Sequence, residues 1–398
     1  MSRLPDCATV DILCKVVDNF GDIGVVYRLA KALSDRAPRL RLRLHVDDLA
    51  AFHELCPQVD ASKDVQALRG WTVLRWNSEW EGLTADPPGL VLECFACGRP
   101  ERFEELLFDP SNATTRRVVN IEHLTAESWA VGFHLLPSAT RSGLVKKWMF
   151  MPGFSDGTGG LIIDRGFREA RERWRDPALS NEERGEQRRD LALRFGSGAA
   201  LAPGDERRYW VSVFSYERDY GRIVADLAAA NRERPLLALA AAGRSQACFL
   251  RAWESAGRPF PVLALPFLSQ EVWDEALLAS DFSIVRGEES WARAALAGRP
   301  FLWQAYAQKE RHHLVKVRAF LDRLKAHFAP EQFVILEEAY LGFNDRDSDG
   351  DDVVGNERIL PILERPSDFG RGFAALADDL AGRGDLAEHL LTFLEEIV

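Results

Sequence analysis

The sequence predicts an α/β protein of two domains, each built on a largely parallel β-sheet. Its 398 residues exceed what one hydrophobic core usually organises. Short apolar runs alternate with polar or helical stretches near the N-terminus and again after residue 205, as parallel sheets require. Hydrophobic residues make up 46% of the chain and charged residues 28%, which provides enough apolar material for two cores.

The first domain is expected over residues 1–160 and opens with a strand, a glycine-containing loop and a helix. The apolar run at 10–17 predicts the strand, and the loop follows at 18–24. A helix comes next, because one face of the following segment collects Val25, Val26, Leu29, Ala30 and Leu33. Further strands are predicted at 40–46, 89–92 and 118–121.

The second domain is expected over residues 206–365, after a charged segment at 161–205 in which Arg and Glu are interspersed. That segment predicts a solvated helical linker, because its opposite charges cancel and it has few large apolar residues. Residues 366–398 are expected to form helices that pack back on the first domain, with Asp385 and Glu388 as a capping box. The strands of the second domain are predicted at 209–215, 235–240, 260–265, 281–285 and 301–304.

Charge and hydropathy exclude several classes of partner. The formal net charge of −11 disfavours a protein that binds nucleic acid through its phosphate backbone. The sequence has neither the long apolar run of a membrane span nor the basic and apolar opening of a signal peptide. We therefore expect a cytoplasmic protein that binds neither nucleic acid nor a membrane.

The cysteines and an acidic tract predict no metal centre. Cys94 and Cys97 have the spacing of a redox or zinc pair, but no second pair completes a tetrahedral site, so buried thiols at a strand end are favoured. The tract that begins at Asp345 fits the first positions of a calcium loop, whereas Asn356 stands at the twelfth position, where a bidentate Glu is needed. A flexible acidic surface loop is the better interpretation of this tract.

The segment at 283–303 gives the clearest indication of a ligand site. It predicts a strand, a polar turn, a short helix ended by Gly298, and another strand after Pro300. Arg286 and the free N–H groups near Ser290 would face the carboxyl edge of the sheet, where anionic ligands bind in open α/β folds. The alternative is a surface ion pair between Arg286 and Glu288 beside an ordinary helix cap.

Two carboxylates, Asp18 and Asp22, flank Gly21 in the loop after the first strand. At the carboxyl end of that strand they are placed to act on an acceptor, although each could instead cap the helix or tighten the loop. The spacing of Gly21 and Gly24 differs from the dinucleotide pattern G-x-G-x-x-G, which disfavours a nicotinamide enzyme.

The acidic turn, the helix and the Gly-x-Pro before a strand together resemble the donor-binding segment of GT-B glycosyltransferases, in which two Rossmann-like domains face each other across a cleft. Through nearly its whole length the chain also resembles a narrower family, the EarP protein-arginine rhamnosyltransferases of translation elongation factor P. Four motifs carry this resemblance: Lys15-Val-Val-Asp-Asn-Phe-Gly-Asp-Ile-Gly24, Asn120-Ile-Glu-His-Leu-Thr-Ala-Glu-Ser-Trp129, Phe150-Met-Pro-Gly-Phe154 with Thr158-Gly-Gly160, and Val285-Arg-Gly-Glu-Glu-Ser290.

The resemblance implies an inverting, metal-independent enzyme without a cofactor. Its donor would be dTDP-β-L-rhamnose, and its acceptor a guanidinium nitrogen of one arginine in elongation factor P, which the sugar activates for rescue of ribosomes stalled at polyproline. The catalytic carboxylates that carry over are Asp18, Asp22 and Glu288. The donor-binding residues that carry over are Phe214, Tyr216, Phe267, Gln270, Trp273, Arg286, Gly287, Glu289, Ser290 and Tyr306, and the loop between donor and acceptor contains Asn19, Phe20, Gly21 and Gly24.

Two positions depart from the family pattern. Glu289 stands where the family commonly has Asp, and Trp273 stands where Phe or Tyr is usual. An indole can still stack on thymine. Taken alone, Phe214, Tyr216 and Phe267 would be read as core aromatics, whereas the resemblance favours stacking on a flat pyrimidine. Four further residues match the family and are open to two interpretations, as acceptor contacts or as packing: Asn120, Glu122, Glu127 and Trp129.

The expected chemistry explains why carboxylates are needed. An arginine acceptor has a pKa above about 12, so it arrives charged, delocalised and poorly nucleophilic. The hypothesis is that Asp18 and Glu288 orient the guanidinium while Asp22 takes its proton. Arg286 and the helix N-terminus would stabilise the departing dTDP in place of a cation.

Two alternatives remain open at this point. One is another GT-B reaction on a small molecule, either transfer from a different nucleotide sugar or epimerisation, which donor competition would distinguish. The other is a non-catalytic adaptor that binds nucleotide or elongation factor P, and it predicts that Asp18→Ala and Asp22→Ala leave function intact.

Overall fold

The computed structural model describes residues 8–17, 20–196, 200–345 and 358–398. The chain forms two compact units, of which the first runs to Arg165 and takes in Arg383–Val398, and the second spans Gly166–Gly382. The division after Arg165 lies close to the expected boundary at 160. Within the described ranges, no helix is long and apolar enough to cross a membrane.

The first unit is built on one eight-stranded sheet. Its strands are β1 (Thr9–Cys14), β2 (Arg41–Val46), β3 (Val65–Leu68), β4 (Trp71–Arg75), β5 (Leu90–Cys94), β6 (Arg116–Ile121), β7 (Pro137–Ser138) and β8 (Val145–Phe150). They lie in the order β3-β4-β2-β1-β5-β6-β8-β7. All neighbours are parallel except β3 with β4 and β7 with β8. The helices are α1 (Gly21–Arg36), α2 (Leu49–Leu55), α3 (Gly82–Ala85), α4 (Glu101–Leu107) and α5 (Trp129–Phe133).

Strand β1 lies at the centre of this sheet and is buried on both faces. Val10 and Ile12 belong to one hydrophobic core, whereas Leu13 belongs to a second core on the opposite face. β2 pairs with one edge of β1, and β5 pairs with the other. The loops after β1 and β5 therefore leave the sheet at a topological switch point, where ligands bind in open α/β sheets.

The second unit is built on a five-stranded parallel sheet. Its strands are β9 (Tyr209–Val213), β10 (Leu236–Ala240), β11 (Val262–Ala264), β12 (Phe282–Arg286) and β13 (Phe301–Gln304). They lie in the order β11-β10-β9-β12-β13. Its helices are α6 (Arg165–Arg175), α7 (Asn181–Leu193), α8 (Gly221–Glu233), α9 (Arg244–Ser255), α10 (Gln270–Ala279), α11 (Gly287–Ala297), α12 (His312–Leu324), α13 (Pro330–Asn344), α14 (Leu360–Glu364) and α15 (Pro366–Gly382). The loops after β9 and β12 are neighbours at the carboxyl edge of this sheet.

The charged segment at 161–205 differs from the solvated linker that its composition predicts. It does contain two helices, but α6 and α7 are packed into the second unit. Phe167 and Trp174 are buried. The guanidinium of Arg188 donates hydrogen bonds to the carbonyl of Ala279 at 2.6 Å and to that of Arg208 at 2.8 Å. Arg188 therefore satisfies backbone carbonyls of the second unit, and a charge pattern alone does not distinguish such an arginine from a solvated one.

The C-terminal residues 366–398 divide between the two units rather than packing together on the first. Helix α15 packs on α11 of the second unit. The closing helix α16 (Leu386–Ile397) packs on α1, and its apolar face joins the main core of the first unit. Asp385 caps α16 by accepting hydrogen bonds from the N–H groups of Ala387 and Glu388.

Candidate active site

In the first unit, the loop between β1 and α1 holds Asp22 in a fixed orientation. The N–H of Val17 donates a hydrogen bond to Asp22 Oδ2 at 2.7 Å. α1 begins at Gly21, and the N–H of Gly24 bonds the carbonyl of Phe20 at 2.9 Å. The side chain of Asp22 is mostly buried in this first turn, with 7% of its surface exposed. Asp18 and Asn19 lie outside the described residues.

The end of β5 and the loop after it bring two thiols, Cys94 and Cys97, to the same edge of the sheet. Burial raises the pKa of Cys94 well above its usual value and raises that of Cys97 to about 12. Both thiols are therefore less readily ionised than an exposed cysteine. No group of three or more potential metal ligands occurs among the residues that the structure describes, and the acidic tract at 346–352 falls outside them.

The end of β6 and the segment after it contain one buried residue, Asn120, and the exposed Trp129. Asn120 is buried, and its Oδ1 accepts a hydrogen bond from the N–H of Ala96 at 3.1 Å while its Nδ2 donates to Glu122. Asn120 thus fixes the turn after β5. Trp129 is 49% exposed, so it does not serve the core of the unit.

In the second unit, the segment at 283–303 forms the elements that the sequence predicts. β12 ends at Arg286, α11 begins at Gly287, and Glu288 and Glu289 occupy the first turn of that helix. α11 ends at Ala297, and Gly298 caps it with the left-handed φ of 70° that favours glycine. Ser290 is buried within the helix start. The N-terminus of α11 thus opens at the carboxyl edge of the sheet.

Arg286 lies between aromatic side chains from the loop after β9. Its guanidinium is 4.8 Å from the ring centroid of Phe214 and 4.7 Å from that of Tyr216. Among the described residues it forms no ion pair, so the alternative of a surface pair with Glu288 is wrong. The aromatic row continues on both sides, because Trp273 packs edge-on against Phe214 at 5.4 Å and Tyr306 against Tyr216 at 5.6 Å.

Gln304, which the sequence interpretation missed, fixes the loop that carries two of these rings. It ends β13 and is buried. Its Oε1 accepts hydrogen bonds from Ser215 Oγ at 2.6 Å and from the N–H of Tyr216 at 2.9 Å. The sequence feature that could have indicated Gln304 is its position at the carboxyl end of a predicted strand, which pairs with β12.

The remaining predicted donor residues lie around this row. Phe267 is 48% exposed before α10, and Gln270 is the first residue of that helix. Glu289 lies 3.7 Å from the buried Arg293, measured from Oε1 to Nε. Of the predicted residues, the structure therefore brings Phe214, Tyr216, Trp273, Arg286 and Tyr306 into contact. Asp22 belongs to the first unit and Glu288 to the second.

Comparison with known proteins identifies close relatives. The family model described as Elongation-Factor P (EF-P) rhamnosyltransferase EarP matches residues 10–395. A protein-arginine rhamnosyltransferase of Pseudomonas aeruginosa is 33% identical over 407 residues, covering 97% of this chain and 98% of its own length. One of Pseudomonas putida is 38% identical over 325 residues, covering 79% of this chain and 81% of its own.

Solved structures confirm the fold class. A structure concerned with EarP-mediated arginine glycosylation of translation elongation factor EF-P matches with a TM-score of 0.60 and 26% identity, covering 98% of this chain and 100% of that one. A UDP-GlcNAc 2-epimerase from Neisseria meningitidis, bound to UDP-GlcNAc, matches with a TM-score of 0.52 and 10% identity, covering 98% of this chain and 100% of that one. At this identity the likeness is evidence for the fold only. With the two sheets, these likenesses confirm the predicted GT-B class with two Rossmann-like domains.

Proposed function

The chain belongs to the EarP family of elongation factor P rhamnosyltransferases, and we propose that it transfers L-rhamnose from dTDP-β-L-rhamnose to an arginine of translation elongation factor P. The family is one of protein-arginine rhamnosyltransferases. The identity of the donor, the acceptor protein and the stereochemistry are parts of the proposal. In this proposal the reaction occurs in the cytoplasm and activates the factor for rescue of ribosomes stalled at polyproline.

The observation that carries the proposal is the setting of Arg286. Its guanidinium lies against the rings of Phe214 and Tyr216, makes no ion pair within the described ranges, and stands at the N-terminus of α11. A cation beside a helix N-terminus attracts a diphosphate, and the adjoining aromatic faces suit a flat pyrimidine. A nucleotide diphosphate sugar has both of these groups.

The proposed chemistry is one inverting displacement. A guanidinium nitrogen forms a bond to the anomeric carbon as the bond from that carbon to the diphosphate oxygen breaks. Asp22 takes the proton that the nitrogen loses, while Asp18 and Glu288 hold the guanidinium in line. Attack from the face opposite the diphosphate converts the β-linked donor into an α-linked product.

The leaving group is proposed to be stabilised without a metal ion or a cofactor. dTDP departs with additional negative charge on its terminal phosphate, and Arg286 with the N–H groups of α11 provides positive charge at that point. The donor also contacts Phe267, Gln270, Trp273, Glu289, Ser290 and Tyr306 in this proposal, and Gly287 allows the backbone to approach it. Among these residues, Gly287 has a φ of 65°, which disfavours any side chain there.

Intact mass spectrometry of elongation factor P, incubated with the enzyme and dTDP-rhamnose, tests this function. We expect the factor to gain one deoxyhexose on an arginine with wild-type enzyme and not with Asp22→Asn, because an amide does not accept the proton. Asn keeps the size of the side chain and can still accept the hydrogen bond from Val17 N–H. If a folded acceptor gains no mass with wild-type enzyme, the proposed donor and acceptor are contradicted. If it gains the same mass with Asp22→Asn, the proposed role of Asp22 is contradicted.

A further inference from the structure

Three guanidinium groups meet at the amino edge of the second sheet, and we call Arg184, Arg188 and Arg299 the arginine cluster. Arg184 and Arg188 lie on α7, and Arg299 lies in the turn between α11 and β13. Arg286 ends β12 and therefore stands at the opposite, carboxyl edge of the same parallel sheet. The arginine cluster is thus separate from the candidate active site.

The arginine cluster contains more positive than negative charge. Arg188 donates a hydrogen bond to Asp281 Oδ2 at 2.7 Å, so its charge is balanced. Arg184 and Arg299 form no ion pair within the part of the chain that the structure describes. The carboxylate that attracts both of them is Asp281, which Arg188 already binds. Two of the three guanidiniums therefore lack a carboxylate of their own.

Arg184 and Arg299 converge on a single weak acceptor. Each donates from Nη2 to the carbonyl of Trp174 near the end of α6, at 3.4 Å and 3.5 Å. These distances are at the long limit of a hydrogen bond. The Nη1 of Arg184 is buried and has no hydrogen-bond partner among the described residues. A buried, charged donor without an acceptor is costly, so an added acceptor at this point would stabilise the fold.

Mutual repulsion shows that these guanidiniums are close neighbours. Burial, followed by the charge of Arg299, lowers the pKa of Arg184 from 12.5 to about 10. Burial likewise lowers the pKa of Arg299, against the attraction of Asp281 and with further repulsion from Arg188. Both side chains still carry their charge at neutral pH. An anion bound between them would relieve this repulsion.

We propose that the arginine cluster binds the phosphate group of a small anion. The planar fork of a guanidinium matches phosphate oxygens, and one phosphate can accept hydrogen bonds from two neighbouring guanidiniums. Arg184 and Arg299 are only partly buried, so the anion can reach them from solvent. A bound phosphate joins α7 to the turn before β13 and stabilises the second unit. Inorganic phosphate and phosphate monoesters share this chemistry, and the site binds them whether or not the enzyme transfers rhamnose.

The test is titration calorimetry of the full chain with inorganic phosphate, against sodium chloride of the same ionic strength. All proteins carry Arg286→Gln, so that binding at the candidate active site is weakened. We expect phosphate to bind this background, and its dissociation constant to rise about tenfold or more when Arg184→Gln or Arg299→Gln is added. Arg189→Gln is the matched control, because Arg189 lies on the same helix and already pairs with Glu206 at 2.9 Å. It should leave the dissociation constant unchanged.

Glucose 1-phosphate, titrated in the same way, separates the two sources of the phosphate group. Binding of inorganic phosphate alone assigns the site to the free ion, whereas binding of both assigns it to the phosphate group of a larger molecule as well. If neither binds the background protein, or if Arg184→Gln and Arg299→Gln leave the dissociation constants unchanged, the proposal is overturned.

Melting temperatures distinguish a ligand site from a purely structural role of Arg184. Phosphate should raise the melting temperature of the background protein, relative to chloride, and should not raise that of Arg184→Gln. If Arg184→Gln lowers the melting temperature in chloride and phosphate still raises it by the full amount, Arg184 only caps α6 and the proposal fails. Arg184→Lys keeps the charge but lacks the fork, so it should fold and bind phosphate more weakly.

Discussion

At the scale of single residues, Arg286 is a guanidinium whose position is set by aromatic rings rather than by a carboxylate. Its distances of 4.8 Å and 4.7 Å to the rings of Phe214 and Tyr216 are those of cation–π contacts. Such contacts orient the side chain without neutralising it. The positive charge thus remains available to an anionic ligand, whereas a carboxylate partner would compete with that ligand.

Substitution of Arg286 by Lys should weaken nucleotide binding although the charge is kept. Lysine lacks the planar fork and most of the ring contact. Their loss should weaken the binding free energy of dTDP by about 1–2 kcal/mol, so we expect its dissociation constant to rise about tenfold. Titration calorimetry measures it. Arg258→Lys is the control, because it removes a similar contact over Trp253, at 5.3 Å, from the end of α9. An unchanged dissociation constant for Arg286→Lys would mean that the guanidinium does not contact the nucleotide.

His134 should make the stability of the protein depend on pH. Burial, with a contribution from His389, lowers the pKa of His134 from 6.5 to about 4. Its Nδ1 accepts a hydrogen bond from Met151 N–H at 3.0 Å, which the protonated ring could not do. Between these two pKa values the unfolded chain binds more protons than the folded protein, so stability is complete above pH 6.5 and decreases as the pH falls toward 4.

The variant His134→Gln tests this assignment, because glutamine can accept the same hydrogen bond and does not titrate. Urea unfolding at about pH 7.5 and about pH 5 gives the loss of free energy of unfolding over this interval. Wild-type protein should lose more than the variant. Equal losses would show that another group causes the pH dependence.

At the scale of elements, the strands that could be predicted are those that coincide with an apolar run in the sequence. These are β1, β2, β5, β6 and the five strands of the second sheet, most of which are buried, although β11 is a partly buried edge strand. β3, β4, β7 and β8 were not predicted, because strands toward the sides of a sheet need fewer apolar residues. β8 illustrates this, since Lys146 and Lys147 interrupt its apolar pattern.

Only the part of the candidate site that has local sequence signals could be predicted. The order β12, α11, Gly298, β13 could be predicted, since each boundary has a local signal in the chain. The role of Gln304 could not, because it depends on β12 lying between β13 and β9 so that Gln304 can reach Ser215 and Tyr216. Strand order is set by packing over long separations along the chain, which no local pattern records.

At the scale of the whole molecule, the chain returns to its first unit after completing its second. Arg383–Val398 belongs with residues that precede Arg165. Arg383 donates a hydrogen bond to the carbonyl of Phe154 at 2.6 Å, and His389 Nδ1 lies 3.1 Å from the carbonyl of Gly159. The last helix therefore supports the loop that follows β8, and the first unit cannot complete its core until α16 has been synthesised.

Two separate cores should give two separable responses in calorimetry. Leu390 of α16 is fully buried in the first core, so Leu390→Ala should destabilise the first unit by about 2–5 kcal/mol. dTDP at about 100 times its dissociation constant should stabilise the second unit by about 2.7 kcal/mol. We expect differential scanning calorimetry to show one transition lowered by Leu390→Ala and another raised by dTDP, with the neighbouring, partly buried Leu391→Ala causing a smaller shift. A single transition that responds equally to both changes would instead show that the two units unfold together, and that the closing helix couples the stability of the nucleotide site to that of the acceptor side.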